Sequence, residues 1–434
     1  MKIAMLSPYS LSRPGGVQGQ VFGLSRALRK LGHHVTVLGP DDEVVKDFGS
    51  HGGGEGAEGF EPDDVFVVGS PTGVRSNGSV APVSISFRAA ARAERYVRHG
   101  EFDVLHIHEP LAPVTPYGFI LSAPLPMVGT YHRAGVSRWV PILKPLAKLV
   151  GFRLQIRVAV SEAARETGLL SGGGDFEVLF NGVDMERFAT AEPVPSDVPI
   201  ILFLGRHENR KGLSVLLDAF AHVDRPAMLW VAGDGPENEV QHRRHPESDR
   251  VKWLGMLTDD EVASRLAGAD ILCAPSLRGE SFGMVVLEGM AARCAVVASD
   301  LEGYRMAAGG HATLFPPGDI PALSRALGVA LADAAEGSGQ SSPEALKAAE
   351  AHAQGWSMDS LAERYVEVYQ RAIARYDADE HRMKAKAKAE AKLETAALKL
   401  NAGVKKRAKM DTKVKAKTKV IDKPKREKRL RPSL

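Results

Sequence analysis

The run KIAMLSPYSLSRPGGVQGQVFGLSRALRKLGHHVTVLG, residues 2–39, decides the fold. Ile3–Leu6 is a short apolar stretch that reads as a strand. Pro14-Gly15-Gly16-Val17 interrupts it and opens a helix. In that helix Val17, Val21, Leu24, Leu28 and Leu31 recur at steps of four and three, so they share one face. Gly32 stops the helix, and Val35–Leu38 reads as the next strand. Strand, crossover helix and strand in this order build a parallel sheet.

The pattern continues outward. Val65–Val68, Val104–Ile107, Met127–Gly129, Val158–Val160 and Val178–Phe180 are further strand candidates, nearly continuously apolar as in a sheet covered on both faces. Residues 49–59 (GSHGGGEGAEG) have nothing to pack and read as a flexible loop. After a Pro-rich linker near 191–199 a second series begins, with Ile200–Leu204, Met228–Ala232, Val251–Leu254, Ile271–Ala274 and Ala295–Ala298. The expected architecture is α/β, two Rossmann-like doubly wound domains facing each other across a cleft. The expected boundaries are 1–190 for an N-terminal domain, 198–355 for a C-terminal domain, 356–380 for helices packing back on the first domain, and 381–434 for a tail.

Composition sets limits on function. A chain of 434 residues with 44% hydrophobic content buries ample core. Cys273 and Cys294 form no disulfide framework and fit no metal spacing, which suits a reducing cytoplasm. The opening MKIAMLSPYS is too short in its apolar run for a signal peptide, and no stretch approaches the length of a membrane span. The net charge of +3 conceals an asymmetry: residues 381–434 carry 20 Lys+Arg against 5 Asp+Glu, and the remaining body 36 against 48. The Lys/Ala-rich tail favours helix but has nothing to bury, so an isolated helix or disorder is expected there. Its charge suits an anionic membrane surface. The absence of interleaved aromatics argues against nucleic acid.

Two segments carry the chemistry. Gly205-Arg206 and Arg210-Lys211-Gly212 follow the first strand of the second series, placing cations on a loop that feeds a helix. Arg206 and Lys211 suit a diphosphate whose charge grows as a leaving group departs, although a solvated basic turn has the same look. Gly279-Glu280-Ser281-Phe282-Gly283 and Glu288 place two carboxylates eight residues apart, about two helical turns. Gly283 allows close approach to a helix N-terminus, where N–H groups favour phosphate, and Glu288 can accept from ribose hydroxyls. Helix capping is the plain alternative for both glutamates.

This Glu-x7-Glu pattern, with Arg206 and Lys211 upstream, Asn181-Gly182-Val183-Asp184 and Trp356-Ser357, resembles GT-B glycosyltransferase family 4 over about residues 1–375. The resemblance implies a retaining transfer in which Glu280 contacts the transferred sugar, Glu288 the ribose, and Arg206, Lys211, Ser281, Phe282 and Gly283 complete the donor site. Ser7-Pro8-Tyr9-Ser10, Pro14-Gly15-Gly16-Val17-Gln18, Asn77-Gly78-Ser79-Val80-Ala81 and Phe102–Pro110 narrow it, looking like the actinobacterial phosphatidylinositol mannosyltransferases of the first-step type. By that likeness the donor is GDP-mannose and the acceptor phosphatidylinositol. Gly16 lies on the diphosphate, Asp259 reads the base, Tyr9 stacks on inositol, Asn77 and Ser79 hold its phosphate, and His132 is catalytic.

Three positions depart from the pattern: Ser12, Pro82 where relatives have arginine, and Val262 where they have lysine. They leave room for another family 4 enzyme, with a UDP- or GDP-sugar and a different lipid or soluble acceptor. A non-enzymatic binder of anionic surfaces is a further alternative. No metal site and no tightly bound cofactor are expected, with a divalent cation such as Mg2+ as an optional addition. Segment 138–157 mixes Trp139, Leu149 and Phe152 with Lys144, Lys148, Arg153 and Arg157; it reads either as an interfacial helix or as a core-facing one. Arg88, Arg92, Arg95 and Arg98 share a helix face. Together these imply a cytoplasmic protein, peripheral on the inner face of the plasma membrane.

Overall fold

The computed structural model describes residues 1–12, 16–41, 64–76, 79–83, 87–112, 120, 123–133, 140–280 and 282–384. Asn77, Ser281, Trp139, the 49–59 segment and the chain from 385 onward therefore lie outside the described residues. Two compact units divide at Ile373.

β1 (Lys2–Leu6) is sealed from Ile3 to Leu6, as a central parallel strand covered by helices must be. α1 (Gly16–Lys30) buries Val21, Leu24 and Leu28 on the face its periodicity marks. Leu31 does not complete that face: it lies past the helix end and is 43% exposed, because Gly32 takes φ 82 and turns the chain away. β2 (His34–Gly39) returns parallel to β1, with Ile3 opposite Val35 and Leu6 opposite Leu38.

The first half continues with β3 (Val65–Val67), β4 (Thr72–Ser76), β5 (Ser79–Val83), α2 (Phe87–His99), β6 (Val104–His108), β7 (Met127–Tyr131), α3 (Val140–Arg153), β8 (Ile156–Ala159), α4 (Glu162–Gly172) and β9 (Glu177–Val178). Its seven-stranded sheet runs β3-β2-β1-β6-β7-β8-β9. β4 and β5 stand apart as an antiparallel pair with Ser76 opposite Ser79. Neither strand was among the sequence expectations, although Asn77-Gly78 is a strong hairpin signal between short strands.

α5 (Met185–Ala189) leads into the second half: β10 (Ile200–Leu204), α6 (Leu213–Phe220), β11 (Met228–Ala232), α7 (Asn238–Arg244), β12 (Val251–Gly255), α8 (Asp259–Ala267), β13 (Ile271–Ala274), α9 (Met284–Ala291), β14 (Ala295–Ser299), α10 (Glu302–Ala308), β15 (Thr313–Phe315), α11 (Ile320–Glu336) and α12 (Pro343–Gln354). This six-stranded sheet runs β12-β11-β10-β13-β14-β15. In both sheets the order reverses beside the first strand, between β1 and β6 and between β10 and β13. Those are the switch points at which doubly wound sheets bind ligands.

Residues 358–373 are helical and return to the first sheet, where Tyr365, Val368, Tyr369 and Ala372 join the core built on Val104, Val128 and Val158. Residues 374–384 of the second unit are helical as well.

α3 packs one face on the core, as the core-facing reading of its segment expects, and leaves the other face exposed. Ala147 and Val150 are buried, whereas Lys144, Lys148, Leu149 and Phe152 are exposed, Phe152 by 83%. Arg153 and Arg157 are not part of the outer cationic fringe. Arg153 donates to the carbonyls of Ile120 and Ala123, and Arg157 to that of Gly151 in the last turn of α3, where carbonyls have no partner within the helix. Among the described residues no helix is long and apolar enough to cross a membrane.

Candidate active site

β10 ends at Leu204, and one turn of 3-10 helix, Asn209–Lys211, carries the chain into α6 through Gly212. Gly212 has φ 71, and a Cβ there would lie 2.0 Å from the Pro275 carbonyl oxygen. The basic loop is thus pressed against the end of β13. Lys211 Nζ reaches Glu280 Oε1 at 2.7 Å, Ser276 Oγ donates to the same oxygen at 2.9 Å, and Arg210 Nη1 stands at 3.4 Å. Ser276 accepts in turn from the Tyr304 hydroxyl at 2.8 Å. Arg206 joins through Glu208, which pairs with Arg206 Nε at 2.7 Å and Arg210 Nε at 2.9 Å. All three protein donors converge on Oε1 of Glu280, and Oε2 takes none among the described residues.

The two predicted cations are placed differently. The Lys211 side chain is 20% exposed and built into the network, while that of Arg206 is 55% exposed and faces outward. Gly283 starts α9 with φ 95 and packs so closely on α10 that a Cβ would meet Tyr304 Cδ1 at 2.8 Å. Glu288 lies on α9, half-buried. Burial pushes its carboxyl up from the usual range, Arg187 and Lys211 pull it down, and Asp259 pushes it up. Asp259 begins α8 beside the capping box of Thr258 and Glu261, and its Oδ2 is 2.6 Å from Arg187 Nη1. Phe282 is 1% exposed, stacked on Phe180 at 5.2 Å and edge-on to Trp356 at 5.1 Å. Its ring belongs to the aromatic core and not to a ligand surface.

At the first sheet's switch point, β6 and β7 place His106, His108 and His132 on one side, since alternate strand residues share a face. His106 is sealed, with Nδ1 2.8 Å from the Tyr369 hydroxyl and Nε2 2.7 Å from Thr130 Oγ1, which also meets the Tyr365 hydroxyl at 2.8 Å. His108 Nδ1 is 2.8 Å from His132 Nε2. Burial depresses all three imidazoles, His106 and His132 to about 3. Glu109, at φ 48, accepts the backbone N–H groups of His132 and Arg133 and so fixes the turn that presents His132. Burial raises its carboxyl, which those N–H bonds and Arg133 partly offset. Tyr9 is half-buried after β1, its hydroxyl pushed up first by burial and then by Glu109.

The two switch points meet through α1. Gln20, one turn beyond Gly16, exchanges hydrogen bonds of 2.8 Å with the Gly182 backbone and approaches Met284 Sδ at 3.9 Å. Met284 is the first residue of the helix that Gly283 caps. Gln20, in the second turn of α1, therefore lies beside the first residue of α9, and a helix N-terminus is where N–H groups favour an anion.

Residues 14–187 match the family described as Glycosyltransferase Family 4, and residues 198–333 match Glycosyl transferases group 1. The phosphatidyl-myo-inositol mannosyltransferase of Mycolicibacterium smegmatis is 36% identical over 342 residues, 75% of this chain and 84% of that protein. The Mycobacterium leprae protein of the same name is 33% identical over 392 residues, 87% of this chain and 93% of that protein. The chain belongs to glycosyltransferase family 4. Its GT-B architecture is shared with sucrose-phosphate synthase from Thermosynechococcus elongatus, at TM-score 0.67 and 19% identity over 86% of this chain and 99% of that one. Anabaena Alr3699/HepE, solved with UDP and glucose, aligns at TM-score 0.65 and 19% identity over 85% and 99%.

In this family 4 glycosyltransferase, Lys211, Glu280 and, through Glu208, Arg206 form one network, with Glu288 and Asp259 on the flanking helices. Gly16 and His132 come from the other sheet. Ser79 sits in β5, while Asn77 and Ser281 are outside the described residues. Val262 packs against the second-half core. Sequence reasoning missed Ser276, Tyr304, Glu208 and Arg187, which act through other side chains. Only Arg187 had a signal, its place three residues after the Asn181-Gly182-Val183-Asp184 motif.

Proposed function

We propose that this enzyme transfers mannose from GDP-mannose to the inositol of phosphatidylinositol, with retention at the anomeric carbon, at the inner face of the plasma membrane. The observation that carries the reading is Glu280: three donors hold Oε1 rigid and leave Oε2 to accept sugar hydroxyls. Lys211, Arg206 and the N-terminal turns of α1 and α9 supply positive potential for a diphosphate, which stabilises it as it leaves. The acceptor hydroxyl attacks on the same face, and its proton passes to the departing phosphate oxygen, so no side chain acts as nucleophile. His132, kept neutral by burial, hydrogen-bonds the substrate. The names of the mycobacterial relatives support mannose and phosphatidylinositol as the substrate pair.

Membrane binding is drawn from exposed cations. Arg88, Arg92, Arg95 and Arg98 line the outside of α2, and Lys144, Lys148, Leu149 and Phe152 the outside of α3. The test incubates full-length protein with GDP-mannose or UDP-sugars and either phosphatidylinositol liposomes or soluble sugars. A mannolipid with GDP release is expected. Transfer confined to UDP-sugars or soluble acceptors overturns the assignment and favours the reading that Pro82 and Val262 support. Parallel reactions with EDTA determine whether a divalent cation such as Mg2+ adds to the charge of Arg206 and Lys211.

A further inference from the structure

His108 is not among the residues to which the proposed reaction gives a role, yet its ring has an asymmetry with a chemical consequence. It is 1% exposed, and Nδ1 lies 2.8 Å from His132 Nε2. Nε2 is buried and has no hydrogen-bond partner among the described residues. His106, on the same strand face, is different: both its ring nitrogens meet hydroxyls that can donate or accept, so either tautomer is satisfied.

A neutral imidazole carries one proton, and the His108–His132 contact needs one donor and one acceptor. If His132 donated from Nε2, His108 would carry its proton on Nε2 and bury an N–H with no acceptor among the described residues. Folded proteins almost never leave a buried donor unpaired and tolerate an unpaired acceptor lone pair more readily. The opposite arrangement leaves only a lone pair at His108 Nε2. It puts the proton of His108 on Nδ1, donated to His132 Nε2, and so places the His132 proton on Nδ1. That atom takes no partner among the described residues, and His132 as a residue is half-buried. The backbone of His132 is pinned independently by Glu109, so the ring cannot escape the pairing by moving its turn.

We infer that His108 is a positioning residue that fixes His132 as its Nδ1–H tautomer, making His132 a hydrogen-bond donor to a substrate oxygen and not a proton acceptor. The inference rests on the proposed role of His132 at the substrate, but the tautomer itself does not. The depressed protonation of all three histidines agrees with neutral rings throughout.

The test is a long-range 1H–15N correlation spectrum of full-length protein labelled with imidazole-15N histidine, with His132 assigned by comparison with His132→Gln. Protonated Nδ1 and unprotonated Nε2 at His132 are expected. Protonation at Nε2 overturns the proposal without recourse to any variant. Kinetics follow with two substitutions. His108→Asn keeps an N–H near the Nδ1 position and is expected to retain the tautomer and kcat within about fivefold. His108→Asp offers an acceptor instead, so His132 should move its proton to Nε2 and kcat should fall about a hundredfold, the loss of one donor. A folded His108→Asp protein with a switched tautomer and unchanged kcat overturns the functional half. The spectrum does not depend on the acceptor, so failure of the lipid assignment and failure of this inference are distinguishable.

Discussion

Glu280 Oε1 takes hydrogen bonds from Lys211 and Ser276 and stands within ion-pair distance of Arg210, and Glu280→Ala removes both this anchor and the free Oε2. A loss in kcat/KM of at least about a hundredfold is expected, typical of removing a preorganised polar group. Steady-state GDP release measures it. Retained turnover would mean the site lies elsewhere. Arg187→Ala acts at the base end of the proposed donor site. It frees Asp259 and takes from Glu288 the charge that most lowers its carboxyl. GDP affinity by calorimetry is expected to weaken about tenfold, equal to about 1.4 kcal/mol, with UDP affinity, measured alongside, less affected. Of these residues the glutamates and Lys211 were legible in sequence, since their spacing is local. Ser276 and Tyr304 were not, because a serine and a buried tyrosine become part of a site only when β13 and α10 bring them together.

The elements that hold those residues depend on backbone approach. At Gly212 a Cβ would collide with a carbonyl oxygen of β13's exit, which cannot rotate away as a side chain can. Gly212→Ala is therefore expected to cost more than about 2 kcal/mol, combining φ strain with the clash. Thermal denaturation should register it, along with weakened GDP binding as Lys211 shifts. A change in melting temperature within error would show that the loop is not pressed against β13. The strands and α1 were readable because their apolar periodicity is strong. β8 begins at Ile156 and β9 at Glu177, since pairing of β8 with β7 and of β9 with β8 sets their ends, not their own composition. α3 could not be resolved from its sequence: the same residues serve a core face and an exposed face, and only the packing of Ala147 and Val150 separates them.

Across the whole molecule, the buried histidines make stability depend on acidity. His106 and His132 titrate at about 3 when folded and His108 well below its usual value, whereas all three regain ordinary values on unfolding. Depressed folded values mean that the stability is fully present above about pH 6.5 and is lost as pH falls toward 3, at up to about 1.4 kcal/mol per pH unit per histidine. Glu109 and Glu288, raised on folding, have the opposite sign and lose stability as pH rises through their folded values. A net fall in melting temperature from neutral pH to about pH 5 is expected, shallower in His108→Asn. An unchanged melting temperature over that span would show the rings are not buried neutral. Deleting residues 381–434, with 20 Lys+Arg against 5 Asp+Glu, is expected to reduce cosedimentation with anionic liposomes in a salt-dependent way. Donor turnover should persist, and full liposome binding without those residues would confine membrane attraction to α2 and α3. By itself the sequence determined the two parallel sheets, the loops after β10 and β13, and the cations and carboxylates on them, because period and local spacing are properties of neighbouring residues. Only the tertiary structure decided that Gln20 of α1 meets Met284 of α9, that Phe282 is core, and that the rings of His108 and His132 meet. Each joins residues distant in the chain, through packing that no local pattern records.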